Sequence, residues 1–170
     1  MKKIIYNAVV FNIAWFVCVL GGSRIAVLFA VVVIGIHLVF FSDNYKNETG
    51  FILFMLLLGV VVESVFIRAG LLVPPDGSLW PPLWLVCLWG FFATTLNHSL
   101  KWFQNHMPAA FLMGAVSAPL TYLGGTRLTD FSLREPVLLT LAAMGLVWCV
   151  VFPFSLMVAK NLLSERPARA

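Results

Sequence analysis

This sequence contains the apolar run Phe51-Ile-Leu-Phe-Met-Leu-Leu-Leu-Gly-Val-Val-Val-Glu-Ser-Val-Phe-Ile67, which has the length of a membrane crossing and carries a single acid, Glu63. A carboxylate in hydrocarbon costs several kcal/mol, so such a side chain usually faces protein or water and usually has a function. We therefore expect the rest of the chain to form a bundle of helices that surrounds Glu63.

The composition supports a membrane protein. Apolar residues make up 61% of the chain and charged residues only 11%, whereas about 45–50% apolar residues are typical of soluble domains. The net charge is +4, but the basic residues lie singly at the ends of apolar runs, as topology signals do. We predict one transmembrane domain over residues 1–163 and no nucleic-acid partner.

The apolar runs predict an all-α polytopic bundle of six transmembrane helices. A Gly21-Gly22-Ser23 turn separates the first two helices, and Pro119 leaves open whether the fifth helix is broken. Residues 164–170 are predicted to form a basic cytoplasmic tail. The predicted helices span about residues 4–20, 25–41, 51–67, 83–100, 108–125 and 137–159.

Six crossings place both termini on the same side of the membrane. The excess of lysine and arginine on that side predicts that both termini are cytoplasmic. The basic residues on that side are Lys2, Lys3, Lys46, Lys101, Lys160, Arg166 and Arg169, and those on the other side are Arg24, Arg68, Arg127 and Arg134.

The polar residues of the predicted helices lie at two depths. The level nearer the cytoplasm holds His37, Asn97, His98 and Lys101, and the outer level holds Glu63, Thr121 and Tyr122. Asn12 lies near mid-depth on the first helix. We predict the ligand-binding residues to be Glu63, Asn12, Tyr122, His98, Asn97 and His37.

Three interpretations of Glu63 are open from the sequence. The side chain could be a protonated acid that is hydrogen-bonded inside the bundle, could pair with an arginine from a loop, or could bind a cationic or hydroxyl group of a ligand. Arg68 is not the expected partner, because five residues on a helix turn its side chain away from Glu63.

Enzyme signatures are largely missing. The chain has no Walker loop, no dinucleotide fingerprint and no serine nucleophile elbow. Its three histidines are isolated in the sequence, although a haem held between His37 and His98 stays an alternative. We predict no catalytic residues, no metal site and no cofactor.

Further stretches, which extend over nearly the whole chain, carry a family resemblance. The most specific are Pro82-Leu-Trp-Leu-Val-Cys-Leu-Trp-Gly-Phe-Phe-Ala-Thr-Thr-Leu96 and Gly114-Ala-Val-Ser-Ala-Pro-Leu-Thr-Tyr-Leu-Gly-Gly125, with 12–22, 37, 63, 68–71 and 99–102 in support. Together they resemble a family of small bacterial inner-membrane proteins of unknown function, the domain of unknown function two-eight-seven-eight.

The resemblance implies a multi-pass protein of the bacterial cytoplasmic (inner) membrane and supplies no catalytic residues. It also implies a genetic association with lipid-modifying methyltransferases. The chain departs from the expected family pattern, because no Asp lies between Glu63 and Gly70. This departure puts in doubt a working pair of carboxylates.

Three hypotheses about function follow. In the first, the protein is non-catalytic and binds or moves a lipid-like or small amphiphilic molecule, with membrane lipid as its partner. The first alternative is an accessory or scaffold subunit for a lipid-modifying enzyme. The second is a membrane-embedded enzyme that uses Glu63 or His98 as an acid–base group. The oligomeric state stays open.

Overall fold

The computed structural model describes residues 2–42 and 44–163, so the predicted basic tail at residues 164–170 lies outside the described residues. The described part of the chain is all-helical apart from two strands of two residues each, and the predicted fold class is confirmed at that level. The elements, in order, are α1 (Lys2–Phe40), α2 (Tyr45–Arg68), β1 (Leu72–Val73), α3 (Leu83–Leu96), a 3₁₀-helix (Lys101–Asn105), α4 (Met107–Leu128), β2 (Ser132–Leu133) and α5 (Val137–Leu163).

Four of these helices, α1, α2, α4 and α5, are long and apolar enough to cross a membrane. Large apolar side chains cover the outside of the bundle: Leu28 is 70% exposed, Val39 73% and Leu138 78%. A soluble monomer rarely exposes so much continuous apolar surface. Length, composition and surface thus all indicate a membrane protein.

The six separate helices of the sequence prediction are not reproduced, because the first two are joined in α1. Gly22 interrupts α1 with a φ of 68°, a value that glycine adopts readily and other residues rarely do. The ring of Tyr6 stacks on that of Phe41, with centroids 4.8 Å apart. A straight helix would separate these residues by roughly 50 Å, so the chain reverses direction at Gly22.

The bundle is built around α2. Half of the α2 span is buried, against 17–28% for the spans of the other three long helices. On one side α1 packs against α3, and on the other side α4 packs against α5, while α2 contacts both α3 and α5. The run that contains Glu63 is therefore the central helix.

Close contact between α4 and α5 depends on small residues. A Cβ on Gly114 would lie 2.3 Å from the carbonyl oxygen of Trp148, and a Cβ on Gly145 would lie 2.6 Å from that of Ala115. Because proline has no backbone N–H, Pro119 leaves the Ala115 carbonyl without its usual helical donor. Helix α4 nevertheless continues through Pro119, so the fifth predicted helix is not broken.

Three predicted bounds differ from the structure by four residues or more, and one of them is the end of α5, which lies at Leu163 rather than at residue 159. Helix α2 begins at Tyr45 rather than at residue 51, because the side chain of Asn44 accepts a hydrogen bond from Asn47 N and caps the helix. Helix α3 ends at Leu96 rather than at residue 100. At its end the Thr94 and Thr95 hydroxyls donate to backbone carbonyls three residues earlier, and such local bonds compete with helix continuation.

Contacts define the two ends of the bundle. At one end the start of α2 meets the end of α5, where Asn47 Nδ2 donates to the carbonyl oxygen of Leu162 at 3.1 Å. At the other end β1 pairs with β2 in antiparallel fashion, with Leu72 opposite Leu133. Arg68 lies at that second end with its guanidinium 4.7 Å from the centroid of a Trp80 ring.

Candidate functional site

A large open cavity lies between the first half of α1, α3 and α4. Its volume is about 610 Å³, and most of its lining is aromatic or aliphatic. Along α4 the lining extends from Met113 to Thr126, roughly 20 Å of helix. One leaflet of bilayer hydrocarbon is about 15 Å thick, so the cavity is long enough for an acyl chain.

The cavity opens through the side of the bundle. The lining residues Asn12, Ser117 and Thr121 are exposed. Beside them on the same helices lie exposed apolar side chains, Phe16 at 51% and Leu120 at 58%. The opening is therefore on the apolar flank of the bundle, between α1 and α4, rather than at one of its polar ends.

Glu63 lies in the wall of this cavity and is only 1% exposed. Its Oε1 accepts two hydrogen bonds, from Trp89 Nε1 at 3.0 Å and from the Tyr122 hydroxyl at 2.5 Å. In the described part of the chain no basic side chain lies within ion-pair distance of Glu63. The arginine-pair interpretation of Glu63 is therefore not supported.

The second oxygen of Glu63 is left without a protein partner. Within residues 2–42 and 44–163, Oε2 is buried and makes no hydrogen bond. Nε1 of Trp148, which also lines the cavity, lies toward the Tyr122 hydroxyl but makes no hydrogen bond of good geometry. A buried polar group without a partner costs about 1–3 kcal/mol. Two residues of the cavity wall, Glu63 and Trp148, thus each carry a buried polar atom without a hydrogen-bond partner.

Trp89 is held in position by close packing. A Cβ on Gly59 would lie 2.3 Å from Cγ of Trp89, so the indole can approach α2 only because residue 59 is glycine. The ring of Trp148 stacks on Trp89, with centroids 5.0 Å apart and an interplanar angle of 25°. These contacts fix the donor that points at Glu63.

The structure separates the six predicted ligand-binding residues. Glu63 and Tyr122 are in direct contact in the cavity. Asn12 borders the same cavity, but its Nδ2 donates to the carbonyl oxygen of Ala8 at 2.8 Å, within its own helix. Asn97 lies at the end of α3, where its Oδ1 accepts from Gln104 Nε2 at 3.5 Å, and it does not line the cavity.

His37 and His98 come together at the start of α2 beside Glu48, which lies in the polar segment between the predicted helices 25–41 and 51–67. Glu48 Oε1 lies 2.7 Å from His37 Nε2 and 3.4 Å from His98 Nε2. The two imidazole rings meet edge to face, with centroids 4.9 Å apart. The prediction that these histidines lie at similar depth is consistent with this contact.

Sequence reasoning missed four residues of these two sites. Trp89 and Trp148 lie in the middle of apolar helices, whereas tryptophan is enriched at membrane interfaces. Their unusual depth in the sequence could have marked them as candidate site residues. Asn44 was only a weak signal for Glu48, because asparagine is a common helix cap but a mostly polar segment, residues 45–50, separates it from the apolar run that begins at Phe51. Ser42, which lies beside His37, carries no such signal.

The fold and the site define a class, an all-helical protein with membrane-length apolar helices and a buried carboxylate in a largely apolar cavity. The model of the family described as "Protein of unknown function (DUF2878)" matches residues 4–154. The chain belongs to this family, as the resemblance predicted. Neither a curated protein nor a solved structure matches the chain.

Proposed function

We propose that the protein binds an amphiphile inside the bundle, with the polar end at Glu63 and the apolar chain along the cavity. The observation that carries the proposal is the unpaired Oε2 of Glu63 in the wall of an apolar cavity that opens through the side of the bundle. An acceptor in such a place selects a group that donates a hydrogen bond.

The chemical class of the polar end follows from the two unpaired atoms. A hydroxyl group can donate to Glu63 Oε2 or accept from Trp148 Nε1, and an ammonium group can donate to Glu63. An ester or ether oxygen can only accept. The favoured ligand is therefore a lipid-like molecule with a hydroxyl or amine at its polar end, which enters from the bilayer between α1 and α4.

A series of amphiphiles with one chain length tests this. Dodecylamine, dodecanol and dodecyl methyl ether share the apolar part and differ in donor capacity. A ligand that binds the folded state raises the unfolding midpoint. We expect the amine and the alcohol to raise the midpoint of the wild-type protein more than the ether does, because hydrogen bonds to charged groups are worth about 1.5–3 kcal/mol.

Two variants test whether the preference for a donor depends on Glu63. Glu63→Gln keeps the shape and an acceptor for Trp89 and Tyr122 but places an amide in place of Oε2, so the preference for the amine over the ether should disappear. Glu135→Gln makes the same chemical change at an exposed site and should keep the preference. An equal effect of all three amphiphiles on the wild-type protein would contradict the proposal.

We further propose six crossings with both termini in the cytoplasm of a bacterium, in the inner membrane. The reversal at Gly22 supports counting α1 twice. With α3, whose 14 residues rise about 21 Å, six segments then cross. The contact between Asn47 at the start of α2 and Leu162 at the end of α5 supports an even number of crossings from α2 to α5, because it brings these two positions to one end of the bundle.

Cysteine labelling tests the sidedness. Ser78→Cys lies in the loop between α2 and α3 and should react with a membrane-impermeant maleimide added to intact cells. Asn105→Cys lies in the 3₁₀-helix at the other end and should react only after the membrane is opened. The reverse pattern would overturn the proposed orientation.

A further inference from the structure

A second polar cluster lies far from the cavity. Glu48 and Glu63 are 15 residues apart on α2, which corresponds to about 22 Å along the helix. Around Glu48 the end of α1 supplies His37, and the segment after α3 supplies His98. His37 is 8% exposed and Glu48 4%, so three parts of the chain converge on a largely buried group.

We propose that His37, Glu48 and His98 bind a divalent transition-metal ion of the Zn²⁺ class. Two imidazoles and one carboxylate form a recurrent ligand set for such ions. The potential ligand atoms of the three side chains lie within 4.8 Å of one another. This proposal revises the prediction from sequence that the chain has no metal site.

The separations suit a metal centre. With bonds of about 2.0–2.2 Å, two ligand atoms of a tetrahedral site lie about 3.3 Å apart. The two distances from Glu48 Oε1, 2.7 Å to His37 Nε2 and 3.4 Å to His98 Nε2, lie on either side of that value. Small rotations of the side chains would place an ion between the three atoms.

The surroundings also favour an ion over a plain hydrogen bond. Both imidazoles present Nε2 to the same oxygen of Glu48. A hydrogen bond between Glu48 and His37 would satisfy those two side chains and does not by itself explain why His98 also approaches. Ser42 N donates to the carbonyl oxygen of His37 at 3.1 Å. The buried hydroxyl of Ser42 lies toward Glu48 but makes no hydrogen bond of good geometry within the described residues. A water on the fourth position of the ion would give that hydroxyl a partner.

Such an ion would join α1, α2 and the end of α3 at one end of the bundle. An ion that binds the folded state only stabilises that state by mass action. The bundle should therefore unfold at a higher temperature with the ion than without it. The amphiphile cavity shares no residue with this site, so the failure of one proposal would not contradict the other.

The test uses the full chain, purified in detergent, stripped with EDTA and titrated with Co²⁺ and Zn²⁺. We expect one equivalent of metal by equilibrium dialysis, a Co²⁺ absorption spectrum typical of mixed nitrogen and oxygen ligands, and a higher unfolding midpoint with Zn²⁺. His98→Gln should weaken binding at least about 100-fold, since loss of a mere outer-shell partner costs 10–100-fold.

The third histidine supplies the matched control. His106 is exposed, stacks on Trp102 with ring centroids 3.9 Å apart, and lies outside the cluster. His106→Gln should bind Co²⁺ and Zn²⁺ as the wild-type protein does. An equal loss of binding in the His98→Gln and His106→Gln variants would overturn the assignment, because the metal would then bind elsewhere.

Folding is checked separately from binding. The unfolding midpoint of each metal-free variant shows whether the bundle has formed, and His98→Gln removes the longer of the two contacts with Glu48. If the His98→Gln variant fails to fold, the metal titration of the wild-type protein tests the proposed site. Binding of one equivalent with the expected Co²⁺ spectrum supports the site, and the absence of stoichiometric binding refutes it.

Discussion

Removal of the Tyr122 hydroxyl tests whether Glu63 is held by directed donors. Tyr122→Phe deletes one of the two donors to Glu63 Oε1 and leaves the ring in place against Phe66, whose centroid lies 5.6 Å away. No large void forms, so the loss is that of the hydrogen bond. A bond to a charged group is worth about 1.5–3 kcal/mol and a neutral one about 0.5–1.5 kcal/mol. We expect the free energy of unfolding to fall by about 1–3 kcal/mol.

The double mutant separates this bond from other effects of the substitution. In a Glu63→Gln background the acceptor is neutral, so Tyr122→Phe should then cost about 1 kcal/mol or less. The difference between the two backgrounds is the coupling energy of Tyr122 with the acid. Tyr45→Phe removes the same atom from a residue that is 61% exposed and should change the stability by less than about 0.5 kcal/mol.

The assay is equilibrium unfolding of the four Tyr122 and Glu63 proteins and the Tyr45 control in mixed lipid and detergent micelles with increasing sodium dodecyl sulfate. Far-ultraviolet circular dichroism reports the loss of helix. A cost of Tyr122→Phe no larger than that of Tyr45→Phe would refute the role given to the hydroxyl. An equal cost in both backgrounds would show that no charge on Glu63 strengthens the bond.

Two further pairs of variants test the packing of the bundle. Gly114→Ala places a Cβ against the Trp148 carbonyl oxygen and should lower the free energy of unfolding by about 1–3 kcal/mol. The control Gly124→Ala lies on the same helix, meets nothing within 4 Å and should be neutral or stabilising. Equal effects of the two substitutions would contradict the tight contact between α4 and α5. Asn7→Ala removes the contacts of a buried amide with Thr94 and Ser99 and should cost about 2 kcal/mol or more in the same assay. Asn12→Ala, which loses only an exposed bond within its own helix, should cost less than about 0.5 kcal/mol, and a reversed order would contradict the placement of the two amides.

The sequence was sufficient for the all-helical class of fold and for some features of the polar residues. An acid in a membrane-length apolar run has few tolerable places, and this constraint correctly marked Glu63 as buried. Depth along the helices put His37 and His98 at one level, and the structure shows them in contact. Both successes rest on one-dimensional information, which is hydropathy and position along the chain.

The parts that could not be predicted depend on which helix faces which. Trp89 reaches Glu63 only because residue 59 of the neighbouring helix is glycine, and a pattern within one helix does not reveal its neighbours. Glu48 was assigned to a loop because its surroundings in the sequence are polar. The cap at Asn44 extends α2 through that region and buries the acid.

The pairing of β1 with β2 was also beyond the sequence. Each strand has two residues, too few for an alternating pattern to be recognised. The pairing joins two loops that are about 60 residues apart, and it depends on how the helices are placed. Contacts of this kind follow from the assembled bundle and leave little trace in local composition.

The most direct test of amphiphile binding at Glu63 is a density map of the full chain in a lipid bilayer at a resolution that shows side chains. We expect an elongated density in the cavity between α1 and α4, with its polar end about 3 Å from Glu63 Oε2. A cavity closed by protein side chains, or an occupant whose polar end lies away from Glu63, would contradict the proposed function.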